Sequence, residues 1–134
     1  VNSVMAMSGN DVFTTADVCV VDQHEKSCEF MKSGAAPSFI ISGEKAEPIM
    51  GEALPIGVVE EVRPTYIKHA IKAGDSILLL SDGVTDALEA SMEEMLKKAE
   101  GDDPKAIAEE IIRYAVEKAG NKRDDMTAIV LKIK

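Results

Sequence analysis

The stretch ILLLSDGVTDAL, residues 77–88, carries four branched aliphatic residues straight into Ser81, Asp82 and Gly83, with a further acid at Asp86. A carboxylate just past a buried strand is held rigidly at a rim that solvent can reach. The glycine after it lets other backbone approach closely or takes φ values that other residues avoid. An Asp-Gly pair ordinarily makes a turn. The same pair also offers what a metal site needs, a fixed oxygen ligand with open access. A second group of acids, Asp124 and Asp125, stands immediately before the last apolar run, MTAIVLKIK. Taken singly, each group reads as a solvated turn. Taken together, they put acids at the ends of two strands that can neighbour one another in one sheet. Oxygen-only ligands, with no Cys or His nearby in the sequence, favour a hard divalent cation, Mg²⁺ or Mn²⁺, over zinc. Such a cation activates water and neutralises phosphate.

The elements that must position these acids can be read along the chain. Residues 12–22, VFTTADVCVVD, are β-branched and apolar; QHEK makes a turn, and SCEFMKS, 27–33, returns as the partner strand of a hairpin. GAAP precedes a short strand, SFIIS, from Ser38, and Gly43-Glu44 turns the chain. Pro55 and Gly57 inside LPIGVVEEV suit an edge segment or a bulge. TYIKHAI, 65–71, alternates, and SILLLS, 76–81, is a strand whose unbroken apolar run implies cover on both faces. Ser91 with Glu94 predicts a capping box for a helix containing Met95, Leu96 and Ala99. Asp103 caps the next helix and Pro104 takes its first position; the helix runs to Gly120 with Ile107, Ala108, Ile111, Ile112, Ala115 and Ala119 as its apolar stripe. The order predicts one α+β domain with mostly antiparallel strands, without repeats or an internal boundary.

Bulk composition narrows the function classes. The chain has 134 residues, 46% of them hydrophobic, which suits one compact domain with a real core. A net charge of −9 argues against a nucleic-acid partner, which needs Lys and Arg to neutralise phosphates, and against adhesion to an anionic membrane. No run approaches the roughly 18 apolar residues of a membrane span, so this segment makes no direct membrane contact. Cys19 and Cys28 sit in apolar stretches without zinc spacing, and read as small buried hydrophobes of a reducing compartment rather than a disulfide. His24 falls in the hairpin turn and His69 beside Lys68 in an alternating strand; neither has a third partner, and both read as ordinary surface residues. The chain opens on Val1 without a signal peptide, which points to a piece of a longer protein.

AGDSILLLSDGVTDA, LPIG and RDDMTAIVLKI resemble the later motifs of the metal-dependent PPM (PP2C-type) serine/threonine phosphatases. CEFMKSGAAPSFI followed by LPIGVVEEV is similar, more narrowly, to phosphatase domains of the stage II sporulation protein E type. The resemblance covers residues 12–134. It implies a PP2C-like sandwich of antiparallel β-sheets flanked by helices, here only the C-terminal part of that single domain. It implies that Asp82 and Asp124 are metal ligands, catalytic through metal-bound water, with Asp125 and Gly83 in supporting positions behind them and Thr127 opening the last strand. Gly34 and Gly57 would shape backbone. The implied cofactor is Mn²⁺ or Mg²⁺, two ions in the complete domain. The implied reaction is hydrolysis of a phosphoserine or phosphothreonine ester by in-line attack of water, without a phospho-enzyme.

The narrower resemblance implies a phosphorylated anti-sigma-factor antagonist as partner, whose dephosphorylation activates a sporulation sigma factor. It implies a cytoplasmic setting, as the cytoplasmic domain of a membrane-anchored protein. The family's upstream Asp-Gly strand, often DGMGHG, has no counterpart here, since none of Asp11, Asp17 and Asp22 precedes a glycine. The chain alone is therefore expected to be inactive and to need its other half, a partner chain or self-association. The same gap opens an alternative, a non-catalytic PP2C-like module for binding or scaffolding. A receiver domain also uses acids and Mg²⁺, but expects its acid pair after the first strand, whereas here the pair precedes the last.

Overall fold

The computed structural model describes residue 5 and residues 12–59, 61–99, 101–122 and 124–134. The strands are β1 (Ala16–Asp22), β2 (Ser27–Ser33), β3 (Ser38–Ser42), β4 (Lys45–Ile49), β5 (Thr65–Ala70), β6 (Ser76–Leu80) and β7 (Ala128–Lys132). The helices, all between β6 and β7, are α1 (Asp82–Leu88), α2 (Met92–Lys98) and α3 (Pro104–Ala119). These elements form two compact units, Val1–Ala35 with Met50–Ile71, and Ala36–Ile49 with Lys72–Lys134. The chain enters each unit twice, so no single point along it divides them. Among the described residues no helix is long and apolar enough to cross a membrane.

The first unit is a three-stranded antiparallel sheet in the order β1-β2-β5. The predicted hairpin forms. Asp22 Oδ1 accepts the backbone N–H groups of His24 and Glu25, both at 2.9 Å, which is how an aspartate closes a short turn. Lys32 is fully buried opposite Asp17 and pairs with it at 2.6 Å. LPIG does not become a strand: Ile56 and Thr14 exchange two backbone hydrogen bonds of 2.9 and 2.8 Å, an isolated bridge of the edge type. Gly34 has φ 64, and a side chain there would collide with Pro55, so this position does shape the backbone.

In the β1–β2 register Cys19 faces Phe30 and Val21 faces Cys28, so the two cysteines are diagonal neighbours, and no disulfide joins them. Burial, followed by the neighbouring Cys28 and Asp17, pushes the Cys19 thiol up to about 12 from its ordinary 9.0. A folded-state value above the unfolded one favours the fold while both states keep the proton. That contribution is therefore whole below pH 9.0 and lost as pH rises toward 12. Cys19 should react with iodoacetamide at pH 8 far more slowly than a free thiol, and faster on denaturation. Alkylation at the free-thiol rate in the folded protein would contradict this assignment.

The second unit is a four-stranded antiparallel sheet in the order β4-β3-β6-β7 with the three helices. Alternation puts Phe39, Ile41, Leu78, Leu80, Ala128 and Val130 on the face that packs with Val84, Leu88, Ile107, Ile111, Tyr114 and Ala115 of the helices. Ile77 and Leu78, successive residues of β6, are both 0% exposed, while Leu79 is half-buried. Strand β4 was not legible in KAEPI; it lies on the sheet edge, where Pro48 is tolerated. Helix α3 begins where expected, with Asp103 Oδ1 accepting the Lys105 N–H at 3.0 Å and Pro104 in the first turn. Its buried stripe includes Tyr114 as well as the predicted Ile107, Ile111 and Ala115.

Two expectations fail in this unit. The Ser91–Glu94 capping box does not form: the chain enters α2 through a 3-10 turn, Glu89–Ser91, and Ser91 makes no capping hydrogen bond. Glu94 instead pairs with Lys98 one turn ahead at 3.1 Å. Second, Asp82 and Gly83 do not make a simple turn, because they open α1. Val84 and Leu88, four apart and both 0% exposed, hold that short helix to the core.

Candidate metal centre

β6 and β7 are antiparallel neighbours, with Leu80 opposite Ala128. The residues that follow β6 and those that precede β7 therefore meet at one end of the sheet. Ser81 closes that end. Its N–H donates to the Thr127 carbonyl at 3.0 Å, its Oγ accepts the Thr127 N–H at 2.9 Å, and its hydroxyl donates to the Asp125 carbonyl at 3.3 Å. A serine in the N-cap position of α1 would ordinarily cap its own helix. Here it makes no such bond, because its oxygen is spent on the loop before β7.

Gly83 completes the junction. A methyl group at this position would run into the Asp125 carbonyl oxygen and lie 3.3 Å from Asp124 Cβ. The glycine is required by close backbone approach. Asp82, immediately before it, and Asp124, packed against it, therefore flank one point of the structure. Both are exposed. Asp82 Oδ1 accepts the Gly83 N–H at 2.9 Å, and Asp124 Oδ1 accepts the Asp125 N–H at 2.8 Å. Each carboxylate thus has one oxygen tied to the adjoining backbone, and among the described residues neither Oδ2 is engaged in an ion pair. Asp125 contributes through its backbone, by the N–H given to Asp124 and the carbonyl that takes Ser81 and abuts Gly83.

The donor set, two oriented aspartates without nitrogen or sulfur, fits a hard divalent cation; Mg²⁺ in particular keeps several waters and takes one or two protein carboxylates. It fits as part of a coordination shell: among the described residues no three His, Cys, Asp or Glu side chains gather closely enough to hold a metal. Asp86, one turn beyond Asp82 on α1, joins Asp124 and Gly83 in lining a groove of about 490 Å³. Lys118 and Lys122 line it too. Neither the Ser81 clasp nor these lysines carry a sequence signal, because both depend on which strands and helices end up adjacent. A larger groove of about 990 Å³ lies between the β3–β4 hairpin and α2, lined by Phe39, Ile41, Pro48, Met92 and Leu96 with scattered Glu and Lys; neither candidate aspartate lines it. His24 and His69 belong to the other unit.

The family description "Stage II sporulation protein E (SpoIIE)" matches residues 1–134. Stage II sporulation protein E of Bacillus subtilis (strain 168) is 31% identical over 99% of the chain, which spans 17% of that protein. Its counterpart from Priestia megaterium is 32% identical over 99% of the chain, which spans 24% of it. The chain thus covers a quarter or less of these relatives. Among solved structures, the phosphatase domain of the cell-fate determinant SpoIIE from Bacillus subtilis, in its Mn-presoaked form, superposes with a TM-score of 0.78 at 28% identity, covering 99% of the chain and 62% of that domain.

Proposed function

The chain belongs to the stage II sporulation protein E family, and on that footing we propose that it supplies the Asp82 and Asp124 side of the metal centre of a PP2C-type serine/threonine protein phosphatase. Its two antiparallel sheets and helices form part of that phosphatase fold. The observation that carries the proposal is the junction at Ser81 and Gly83, which holds two acids 42 positions apart in the sequence (82 and 124) at one end of one sheet. When bound, Mn²⁺ or Mg²⁺ supplies neutralisation of charge at the phosphoryl oxygens and lowers the pKa of water. The chain's own part is positional. Asp82 and Asp124 present the oxygen not used by the backbone; Ser81 holds the β7 entry loop against the start of α1; Gly83 admits that loop. Such positioning is what catalysis of phosphoryl transfer mainly requires of a protein.

The finer assignment extends the same reading. The ester hydrolysed is a phosphoserine of an anti-sigma-factor antagonist, its removal activates a sporulation sigma factor, and the setting is the cytoplasm. Likeness to stage II sporulation protein E supports these points. The complete centre holds two ions, its remaining ligands coming from other parts of the polypeptide or a second copy. The test is phosphate release from the phosphoserine form of the antagonist by the native polypeptide that carries this chain. Release should require Mn²⁺ or Mg²⁺, stop with chelator and return when the cation is restored. One observation favours a non-catalytic binding module, the lack of any three-ligand group among the described residues. Binding of the antagonist without cation-dependent release would decide for that module.

A further inference from the structure

The groove beside the candidate centre has a property that hydrolysis alone does not explain. Two lysines, Lys118 from the last turn of α3 and Lys122 just beyond it, line it together with Asp124 and Asp86. Elsewhere on the helices, basic side chains are matched to acids. Lys97 pairs with Glu93, Lys98 with Glu94, Lys105 with Glu109, and Arg113 with Glu110 and Glu117. Among the described residues neither Lys118 nor Lys122 comes within 4.0 Å of an acid, although both are exposed and two acids share their groove; Lys118 acts on Glu94 of α2 only at longer range. Lys118 is instead steered by an aromatic ring, its Nζ lying 5.1 Å from the centre of Tyr114. A helix C-terminus favours cations, and that suffices to explain why lysines are tolerated there. It does not explain why the groove that Asp124 lines takes both lysines into its wall.

The charge balance supplies a reason. The chain carries −9, and part of that negative charge, on Asp82, Asp86 and Asp124, stands at the point where a phosphorylated protein must arrive. Acidic residues beside the phosphorylated one would meet a repulsive field there unless local cations offset it. With Asp124 engaged by a cation, the groove holds two lysines against Asp86. An extended segment advances about 3.3 Å per residue, so a side chain one to three positions from a phosphoserine at the centre reaches a groove that begins at Asp124.

We propose that Lys118 and Lys122 form an anion subsite that takes an acidic side chain flanking the phosphorylated residue of the protein substrate. The proposal rests on the phosphatase reading above and makes these lysines specificity determinants rather than catalytic residues. The test compares two phosphoserine peptides, one with Asp or Glu at the flanking positions and one with Asn or Gln there, using the native polypeptide and its Lys118→Gln/Lys122→Gln double variant. Exposed charge pairs are individually weak, so the wild-type preference for the acidic peptide in kcat/KM should fall about 3- to 10-fold in the double variant. Binding of both peptides by fluorescence anisotropy should show the same loss of preference in Kd, and Lys122→Glu should shift preference toward a peptide with basic flanks. A preference that survives the double substitution overturns the subsite. So does an equal loss on both peptides, which would mean that the lysines serve the phosphoryl group or the fold. If the wild type releases no phosphate from either peptide, the phosphatase reading fails, while the anisotropy comparison still decides the subsite.

Discussion

Asp124→Asn, introduced into the native polypeptide that carries this chain, should lower cation-dependent phosphate release by roughly 10²- to 10³-fold, and Asp82→Asn should do the same. The substitution is close to isosteric, so the fold has little reason to change. Asp124 is exposed, and the hydrogen bond its carboxylate accepts from the Asp125 N–H at 2.8 Å can be accepted equally by an amide oxygen. What disappears is a negative charge and one anionic oxygen on a hard cation, interactions that contribute several kcal/mol of charge stabilisation in metal-assisted hydrolysis. The measurement is kcat/KM across a Mn²⁺ titration, beside a thermal unfolding curve. The loss should appear at every cation concentration or be relieved only at high Mn²⁺, and the unfolding midpoint should stay near wild type. Near-normal turnover in either variant would refute the ligand assignment. A collapsed unfolding midpoint would mean that the aspartate acts through the fold.

Gly83→Ala makes a sharper geometric demand. In an ordinary helix the change to alanine stabilises by about 1 kcal/mol, because glycine gives up more backbone freedom. Here the added carbon meets the Asp125 carbonyl oxygen, which is backbone and is itself held by the Ser81 hydroxyl at 3.3 Å. Overpacking against a neighbour that cannot rotate away costs about 1–3 kcal/mol. Steric cost should therefore outweigh propensity, and the variant should be destabilised by about 1–2 kcal/mol. Relief comes by pushing the loop that carries Asp124 away from α1, so cation affinity and activity should fall together, while Asp82 and Asp124 are themselves unaltered. Denaturant unfolding with a Mn²⁺ binding isotherm reads both effects. A variant more stable than wild type with unchanged cation affinity would show that the close approach at Gly83 does not position the site.

Much of this was legible in the residues. The β-branched residues of VFTTADVCVVD and the unbroken apolar run in SILLL announce their strands, and Asp103 with Pro104 announces α3, because those signals act within a few positions of the elements they govern. The acids Asp82 and Asp124 stood out for the same reason, each lying within a few residues of a strand end, and the structure brings both to one end of the second sheet. What was hidden depends on distance along the chain. Ser81 has no distinguishing neighbourhood, and its partners at Asp125 and Thr127 are 44 and 46 residues away. Helix α1 is seven residues long with a glycine second, too short for a helical period to stand out from a turn. The Ser91–Glu94 pattern misled because Glu94 found Lys98 one turn along, a competing local partner. Lys118 and Lys122 read as ordinary lysines near a helix end, and only the packing of α1 against α3 makes them lining residues of one groove.

The central claim is that Asp82 and Asp124 grip one cation centre, and it is tested most directly by Mn²⁺ affinity across a double-substitution cycle, read by the electron paramagnetic resonance signal of free Mn²⁺. Ligands of one centre are coupled. Asp82→Asn and Asp124→Asn should each weaken binding strongly, and the double variant should lose markedly less than the product of the two separate factors. Independent, multiplicative losses, or full Mn²⁺ affinity in either single variant, would show that the two aspartates do not share an ion site.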